Sequence, residues 1–575
     1  MTRILRVDMK RGLCSFNDNQ EYAGLGGRAL TSTIVAKEVN PASAPLGPGN
    51  RLVFAPGLLG GTNCVNSGRI SVGCKSPMTL GIKEANSGGQ AGGYLARLGL
   101  DALVIEDQAP TGQWLMLELK SGQARLLPAP EAGLNNYDTV ARLEKIYPGC
   151  AFITIGRAGE YRLTAASIAF TGRDGRPSRQ AARGGVGAVM GSKGLKAIII
   201  DPGETQGPPL TDPETFRASA HRFTEILRAH PVCGHSLATY GSAGLLGLLN
   251  ESGALPTRNF SSGRFEKFES VSGEELNRLT ITRGGQGRVA RGCMSGCIMN
   301  CSGLFPDRNG QVVGKWPDFE TLWAFGPNTG INDLDAIARY DRLCDDVGVD
   351  TIDVGGAIAL LMEAGILKFG QAKQALQLVK DINRGTPLSR IIGSGAALTG
   401  RIYGLNRVAV VKGQALPAFD PRSVKGQGVT FATNPQGADH TAGLSYTGNL
   451  LSLGSEVDPL SREGQVELSR RTQISAATVD SLGLCLFVSF AIFETPDALK
   501  AIVEMLNARH GTTLTEANLN SLGRKVLETE LDFNRRAGLT EASDRLPDFF
   551  IEEKVGPHQS TFDIKNSKLD SVLKW

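Results

Sequence analysis

Arg291-Gly-Cys-Met-Ser-Gly-Cys-Ile-Met-Asn-Cys301 carries three of the chain's ten cysteines, at 293, 297 and 301. Its glycines and small residues let the backbone turn the three sulfurs inward. Three thiolates this close read as metal ligands, and iron–sulfur clusters take four. The fourth must come from elsewhere in the chain, and the best candidate is Cys485 in Asp480-Ser-Leu-Gly-Leu-Cys485. That hexad has an upstream counterpart, Asp345-Asp-Val-Gly-Val-Asp350. Both read Asp-x-x-Gly-apolar-Cys/Asp, so distant segments are expected to fold around one centre.

The C-x3-C-x3-C spacing is not that of a zinc ribbon, which has two C-x2-C pairs. The other cysteines (14, 64, 74, 150, 233 and 344) stand alone and read as core residues. Asp-x-x-Gly can be merely a helix stop, the glycine taking the left-handed position after the last turn. Its repetition suggests two copies of one ligand, or the halves of a pseudo-symmetric one, with a carboxylate accepting hydrogen bonds from ring N–H groups.

The 575 residues suffice for roughly three domains of about 150–200 residues. Hydrophobic content of 41% and charged content of 21% fit an ordinary soluble protein. A net charge of +4, from 61 basic and 57 acidic residues, is too balanced to indicate nucleic acid. The first residues contain no apolar signal core. The apolar run from Leu484 to Phe493 is about half the ~20 residues a membrane span needs. The expectation is a cytoplasmic protein whose cysteines do not form disulfides.

Residues 1–203 read as mostly β. Short strands are expected at Arg3 to Met9, Arg51 to Phe54, Arg69 to Gly73, Ala102 to Ile105, Trp114 to Leu119, Ala151 to Ile155 and Lys196 to Ile200, with helices near Leu30 to Val39 and Gly89 to Leu98. Three glycine-rich segments interrupt them: Ala23-Gly-Leu-Gly-Gly-Arg28, Asn86-Ser-Gly-Gly89 and Arg183-Gly-Gly-Val-Gly-Ala188. Each alone reads as a turn. Three together, with Arg28, Arg69, Arg179 and Arg183 nearby, favour an anionic cofactor approached by backbone N–H groups. None completes a dinucleotide fingerprint or a Walker A loop.

A Gly/Pro linker at 203–209 precedes a change to helical periodicity, opened by the cap Thr211-Asp-Pro-Glu214. Helices are expected at Phe216 to Ala229, Asp333 to Asp346, Ile352 to Ala364, Gln371 to Asn383, Ala396 to Ile402, Gly464 to Thr472, Pro496 to Arg509 and Thr515 to Ala537. No repeat beyond the duplicated hexad is visible. The expected class is α+β: a β-rich N-terminal base domain followed by two mainly helical domains, 204–413 and 414–575, with a cofactor between them.

With these motifs in hand, the chain resembles the tungsten-containing aldehyde:ferredoxin oxidoreductase family over nearly its whole length. The resemblance rests on Ser67-Gly-Arg69, Lys75-Ser-Pro77, Asn86-Ser-Gly-Gly89, Arg183 to Lys193, Gly330-Ile-Asn-Asp-Leu334, the two hexads and Leu416-Pro-Ala-Phe-Asp-Pro-Arg422. It implies one tungsten held by two pterin dithiolenes beside a [4Fe–4S] cluster on Cys293, Cys297, Cys301 and Cys485. By position, Asp345, Val349 and Asp350 would hold one pterin, and Asp480 and Leu484 the other. Arg69 would lie between cluster and pterin. Asn86 and the carbonyl near Gln180 would contact a magnesium ion bridging the pterin phosphates. Ser87, Gly88, Arg179, Arg183 and Gly184 complete the expected cofactor contacts. Glu320 and His440 match the family's acid/base pair.

The implied reaction is oxidation of aldehydes to carboxylic acids, with electrons leaving to ferredoxin or an iron–sulfur partner subunit and the protein acting as an oligomer or complex. A second reading keeps the family but acts on carboxylic acids or aromatic thioesters. A third is an iron–sulfur electron-transfer subunit without tungsten. Glu320 and His440 favour the first; the intact hexads argue against the third. Two departures stand out. The family's cysteine spacing is C-x2-C-x3-C, so this loop must bulge by one residue, which Gly292 and Gly296 permit. Arg339 stands where some relatives place a glutamate on a metal shared between subunits, which argues against that metal here.

Overall fold

The computed structural model describes residues 2–575. Its first two hundred residues alternate short Val/Ile/Leu-rich runs with tight turns, and these runs form two six-stranded sheets. The first sheet contains β1 (Thr2–Asp8), β2 (Leu13–Asn19), β3 (Leu52–Pro56), β4 (Ile70–Lys75), β5 (Ile82–Ser87) and β6 (Ala102–Glu106), in the order β2-β1-β6-β3-β4-β5. The second contains β7 (Leu115–Lys120), β8 (Gln123–Pro128), β9 (Ala151–Thr154), β10 (Ile168–Phe170), β11 (Arg179–Ala181) and β12 (Leu195–Ile200), in the order β11-β10-β9-β12-β7-β8.

Read from the first hairpin outward, the two orders are the same. In each sheet the sixth strand returns parallel to the first and every other pairing is antiparallel. Each half also places one helix between its second and third strands, Gly27–Glu38 and Asn136–Ile146. Another lies between its fifth and sixth strands, Ala91–Arg97 and Val186–Ser192. The frame is therefore a structural duplication. It is carried by strand order and register, so a search for repeated residues finds only the hexads.

The rest of the chain is mainly helical, which gives the α+β class. Asp212 caps the helix Pro213–Ala229 by accepting the Thr215 N–H at 3.0 Å. The helix Leu334–Val347 ends at Gly348 (φ +78°), and Gln465–Leu482 ends at Gly483 (φ +75°). Both hexads are thus helix stops. Among the described residues no helix is long and apolar enough to cross a membrane.

The two stops dock on the two halves of the frame in the same way. Gly348 O accepts the Ser167 N–H at 2.9 Å, and Gly483 O accepts the Arg69 N–H at 3.1 Å. Ser167 and Arg69 each directly precede the fourth strand of their sheet. The Asp350 N–H donates to Ala165 O at 2.9 Å, and the Cys485 N–H donates to Asn66 O at 2.8 Å. Such close approach requires glycine beyond the third strand of each sheet. A Cβ on Gly57 would lie 1.9 Å from Gly483 N, and one on Gly156 would lie 2.3 Å from Val347 O.

Several elements escape the periodicity reading. β5 (Ile-Lys-Glu-Ala-Asn-Ser) is almost wholly buried despite its charges, because Lys83 pairs with Asp439 at 2.9 Å. The helix Lys425–Thr433 is buried at all nine positions, so it has no polar face to reveal it. β10 and β11 have three residues each, too short for a pattern.

Gly57→Ala and Gly156→Ala should each destabilise the protein by ~3 kcal/mol, the upper range of overpacking. Gly93→Ala, with nothing within 4 Å of its added Cβ, should leave the thermal midpoint unchanged or higher. Equal melting of all three variants would contradict this docking.

Candidate active site

One cavity lies between the frame and the helical region. Arg69, Asn86, Ser87, Gly88, Arg179, Gln180, Arg183, Asp345, Val349, Asp350 and Asp480 line it, with Cys293, Cys301, Cys485, Glu320 and His440. The duplication explains why residues so far apart meet. Asn86 pairs with Ser71 and Gln180 with Ala169, so both are the penultimate residue of a fifth strand opposite the second residue of a fourth. Two related strand ends therefore converge on the cavity.

Three expected residues sit outside its wall. Leu484 is buried in the core, its N–H donating to Val479 O at 3.2 Å. Gly184 (φ +75°) packs on Lys83, whose Cγ would lie 2.5 Å from an added Cβ, and its carbonyl accepts from Ser76 Oγ at 2.7 Å. The close approach this glycine allows is to a lysine stem. Cys297 is buried beside Cys293.

The four thiols share one neighbourhood. The hydrogen bond from Cys297 pulls Cys293 down to about 6 against burial, helped by Arg179 and Arg69. Burial pushes Cys485 up to about 11, with Cys293 adding to the rise. Burial likewise raises Cys301, with Cys293 and Cys485 contributing. Among the described residues no group of three or more His, Cys, Asp or Glu side chains is gathered as a single-ion site. Within the cysteine loop Gly296 takes φ +71°. Gly88 brings backbone to the ring: a Cβ there would lie 3.1 Å from Cys293 Sγ.

Charges line the cavity in pairs that sequence reading did not assemble. Arg183 bonds Asp350 at 3.1 Å and Asp353 at 3.4 Å, and also donates to the carbonyls of Ala438 and Ala415. Asp350 in addition caps the helix Thr351–Glu363 through the Ile352 N–H. Arg28, fully buried, holds Glu530 at 2.8 Å and Asp480 at 3.4 Å. Burial and the nearby Glu84 push Asp480 up to about 8. Lys315 bonds Asp341 and lies 4.0 Å from Asp345. Arg69 hydrogen-bonds the Asn86 side chain. Lys83, Glu84, Lys315, Asp341, Asp353 and Asp439 gave no signal in the sequence, because isolated charges normally read as solvated surface.

Glu320, in the helix Phe319–Phe325, and His440 meet at the cavity wall, His440 Nδ1 lying 3.8 Å from Glu320 Oε1. Glu320 Oε2 accepts the Ala418 N–H at 3.0 Å. Burial raises the Glu320 carboxyl above its ordinary range, opposed by His440 and that N–H. Asp439 lies 3.6 Å from the same His440 nitrogen. Although burial acts to raise it, Lys83 and Arg183 hold Asp439 far below the usual range, so it stays an anion.

Glu320 Oε1, His440 Nδ1, Asp345 Oδ2, Asp341 Oδ2, Ser87 Oγ and Arg179 Nε are all buried without a hydrogen-bond partner. Buried polar atoms are ordinarily satisfied, and all six belong to residues lining this cavity. They fit a large polar ligand that meets carboxylates, a hydroxyl and a guanidinium together, as a pterin cofactor with phosphates does.

The family model for the N-terminal domain of aldehyde ferredoxin oxidoreductase matches residues 4–202, and that for domains 2 and 3 matches residues 219–575. The chain is 32% identical to the tungsten-containing aldehyde ferredoxin oxidoreductase of Thermococcus kodakarensis, over 97% of this chain and 93% of that protein. It is 31% identical to that of Pyrococcus furiosus, with the same coverage. It is 26% identical to the WOR-like subunit of an aliphatic sulfonate oxidoreductase of Pyrococcus furiosus, over 88% of this chain and 81% of that one. Among solved structures, the active-site complex BamBC of benzoyl coenzyme A reductase shares the fold, with a TM-score of 0.78 at 18% identity over 95% of this chain and 90% of that one. The chain belongs to the aldehyde ferredoxin oxidoreductase family.

Proposed function

We propose that this oxidoreductase converts small aldehydes to carboxylic acids and delivers the electrons to ferredoxin or an iron–sulfur partner subunit. The observation that carries the reading is the meeting of Glu320 and His440, both with an unpartnered atom, on the wall of the cavity that also holds the cysteine ring.

The cofactors proposed are a tungsten bis-pterin, a [4Fe–4S] cluster and a magnesium ion on the pterin phosphates; when bound, they supply the two-electron oxidation and the one-electron exit. Cys293, Cys297, Cys301 and Cys485 would hold the cluster, with Arg69 and Arg179 offsetting its charge. Asn86 and the Gln180 carbonyl, on equivalent strands of the duplicated frame, would share the magnesium. Asp345 and Asp480 would accept hydrogen bonds from the two pterins. Asp350 is committed to its helix cap and to Arg183, so its part is to keep that arginine in place.

The acid/base steps fall to the chain itself. His440 donates a hydrogen bond to the substrate carbonyl oxygen and polarises it. Glu320 Oε1, free while Oε2 is anchored on the Ala418 N–H, accepts the proton of the attacking water. Its raised affinity for protons makes it a better base than an exposed carboxylate. Asp439 keeps a fixed negative charge 3.6 Å from His440 Nδ1.

Elemental analysis of protein purified without oxygen tests the cofactors: about one tungsten and about four irons per chain are expected. Iron with neither tungsten nor molybdenum, from cells supplied with both, would move the reading to an electron-transfer subunit. Glu320→Gln and His440→Asn should each lower kcat of aldehyde-dependent dye reduction by about 10²–10⁴-fold with metal content unchanged. Full activity in both removes the acid/base assignment. Because Glu320 must be ionised to act as base, kcat/KM should fall as pH drops through its raised pKa, above the ordinary carboxylate range near ~4.3. That acidic limb should vanish in Glu320→Gln.

A further inference from the structure

Tyr446 stands in the same cavity wall as Glu320 and His440. It opens the short helix Tyr446–Leu450, and its N–H donates to Gln427 Oε1 at 3.3 Å. The ring stacks on Phe419, centroids 4.8 Å apart and planes at 20°. Phe419 in turn meets Phe319 edge-on at 5.8 Å, and Phe319 directly precedes Glu320. Tyr446 is 2% exposed, yet among the described residues its hydroxyl makes no hydrogen bond. Burial and the charge of Glu320 hold its pKa above the ordinary phenol range, so it remains a donor.

Two of the lining cations, in contrast, are engaged by carboxylates. Arg183 is held by two carboxylates and two carbonyls, and Lys315 by Asp341. Arg69 bonds Asn86, and Arg179 donates to Ser302 Oγ at 3.1 Å while its Nε stays free. Beside Glu320 the cavity offers aromatic surface and two hydrogen-bond donors, His440 and Tyr446. A second carboxylate on the substrate would be buried there without a partner, which costs heavily.

We infer that Tyr446 is a substrate-positioning residue, its phenol donating to an oxygen of the reacting carbonyl or product carboxylate while an uncharged aromatic group of the substrate lies against Phe419 and Phe319. This rests on the aldehyde reading and extends it to a substrate class. His440 and Tyr446 address the two oxygens of the product carboxylate, and the stacked rings set the direction from which it enters.

The test uses the metal-loaded holoenzyme, with benzaldehyde, acetaldehyde and succinic semialdehyde as substrates and benzoate as the product probe. Tyr446→Phe, which removes one oxygen and keeps the ring stack, should raise KM for benzaldehyde and Ki for benzoate by about tenfold, the size of one lost hydrogen bond. Its kcat should change less than about twofold, and its tungsten and iron contents should equal those of the wild type. Phe419→Leu, an independent second variant, should cut kcat/KM for benzaldehyde about fivefold more than for acetaldehyde, in keeping with aromatic pair energies. Unchanged KM and Ki in Tyr446→Phe would overturn the assignment of the phenol. A wild type that prefers succinic semialdehyde to benzaldehyde would overturn the substrate class. A wild type that oxidises no aldehyde, yet binds benzoate tenfold tighter than Tyr446→Phe does, would defeat the aldehyde reading and leave Tyr446 assigned.

Discussion

Backbone against backbone, with no side chain between, is the contact on which this architecture depends. Gly57 meets Gly483 and Gly156 meets Val347, at distances where even a methyl group would overlap the neighbouring chain. Each contact joins the end of a β-strand to the end of a long helix. The frame is duplicated, so the two contacts are related and the two hexads arrive in equivalent surroundings. The cavity is what remains between them. Any residue that pushed one helix end away would open the site before it disturbed either sheet.

A second set of ties is electrostatic. Arg28, Lys83 and Arg183 belong to the frame; their partners Glu530, Asp480, Asp439, Asp350 and Asp353 come from the helical region. Buried pairs of this kind add little net stability, because desolvation consumes most of the Coulombic gain. Removing one member is another matter: the abandoned charge costs ~3–5 kcal/mol. The pairs therefore act as alignment pins that penalise every other docking geometry. They also hold Arg183, in the cavity wall, on partners of its own.

The sequence disclosed the chemistry more readily than the architecture. Three cysteines in one loop and a repeated hexad led to one cavity, because clustered thiols and a duplicated turn are visible in residue identity itself. Gly348 and Gly483 were readable as helix stops for the same reason, since only glycine takes that conformation without strain. The duplication of the sheets was not readable, because strand order leaves no mark on residue identity. β5 hid because its charges are buried in pairs, and Lys425–Thr433 hid because it has no exposed face. Gly184 shows how little a glycine reveals by itself, since one that accommodates Lys83 looks the same in sequence as one that accommodates a phosphate.

The frame lies wholly within the first two hundred residues, whereas the helix ends that close it follow at Gly348 and Gly483. During synthesis the first helix end emerges well before the second. At ~5–20 residues per second, the intervening stretch of chain takes on the order of ten seconds to make. One cradle can close while its twin still faces solvent, so the order of the chain sets a window in which a bulky prosthetic group has an open door.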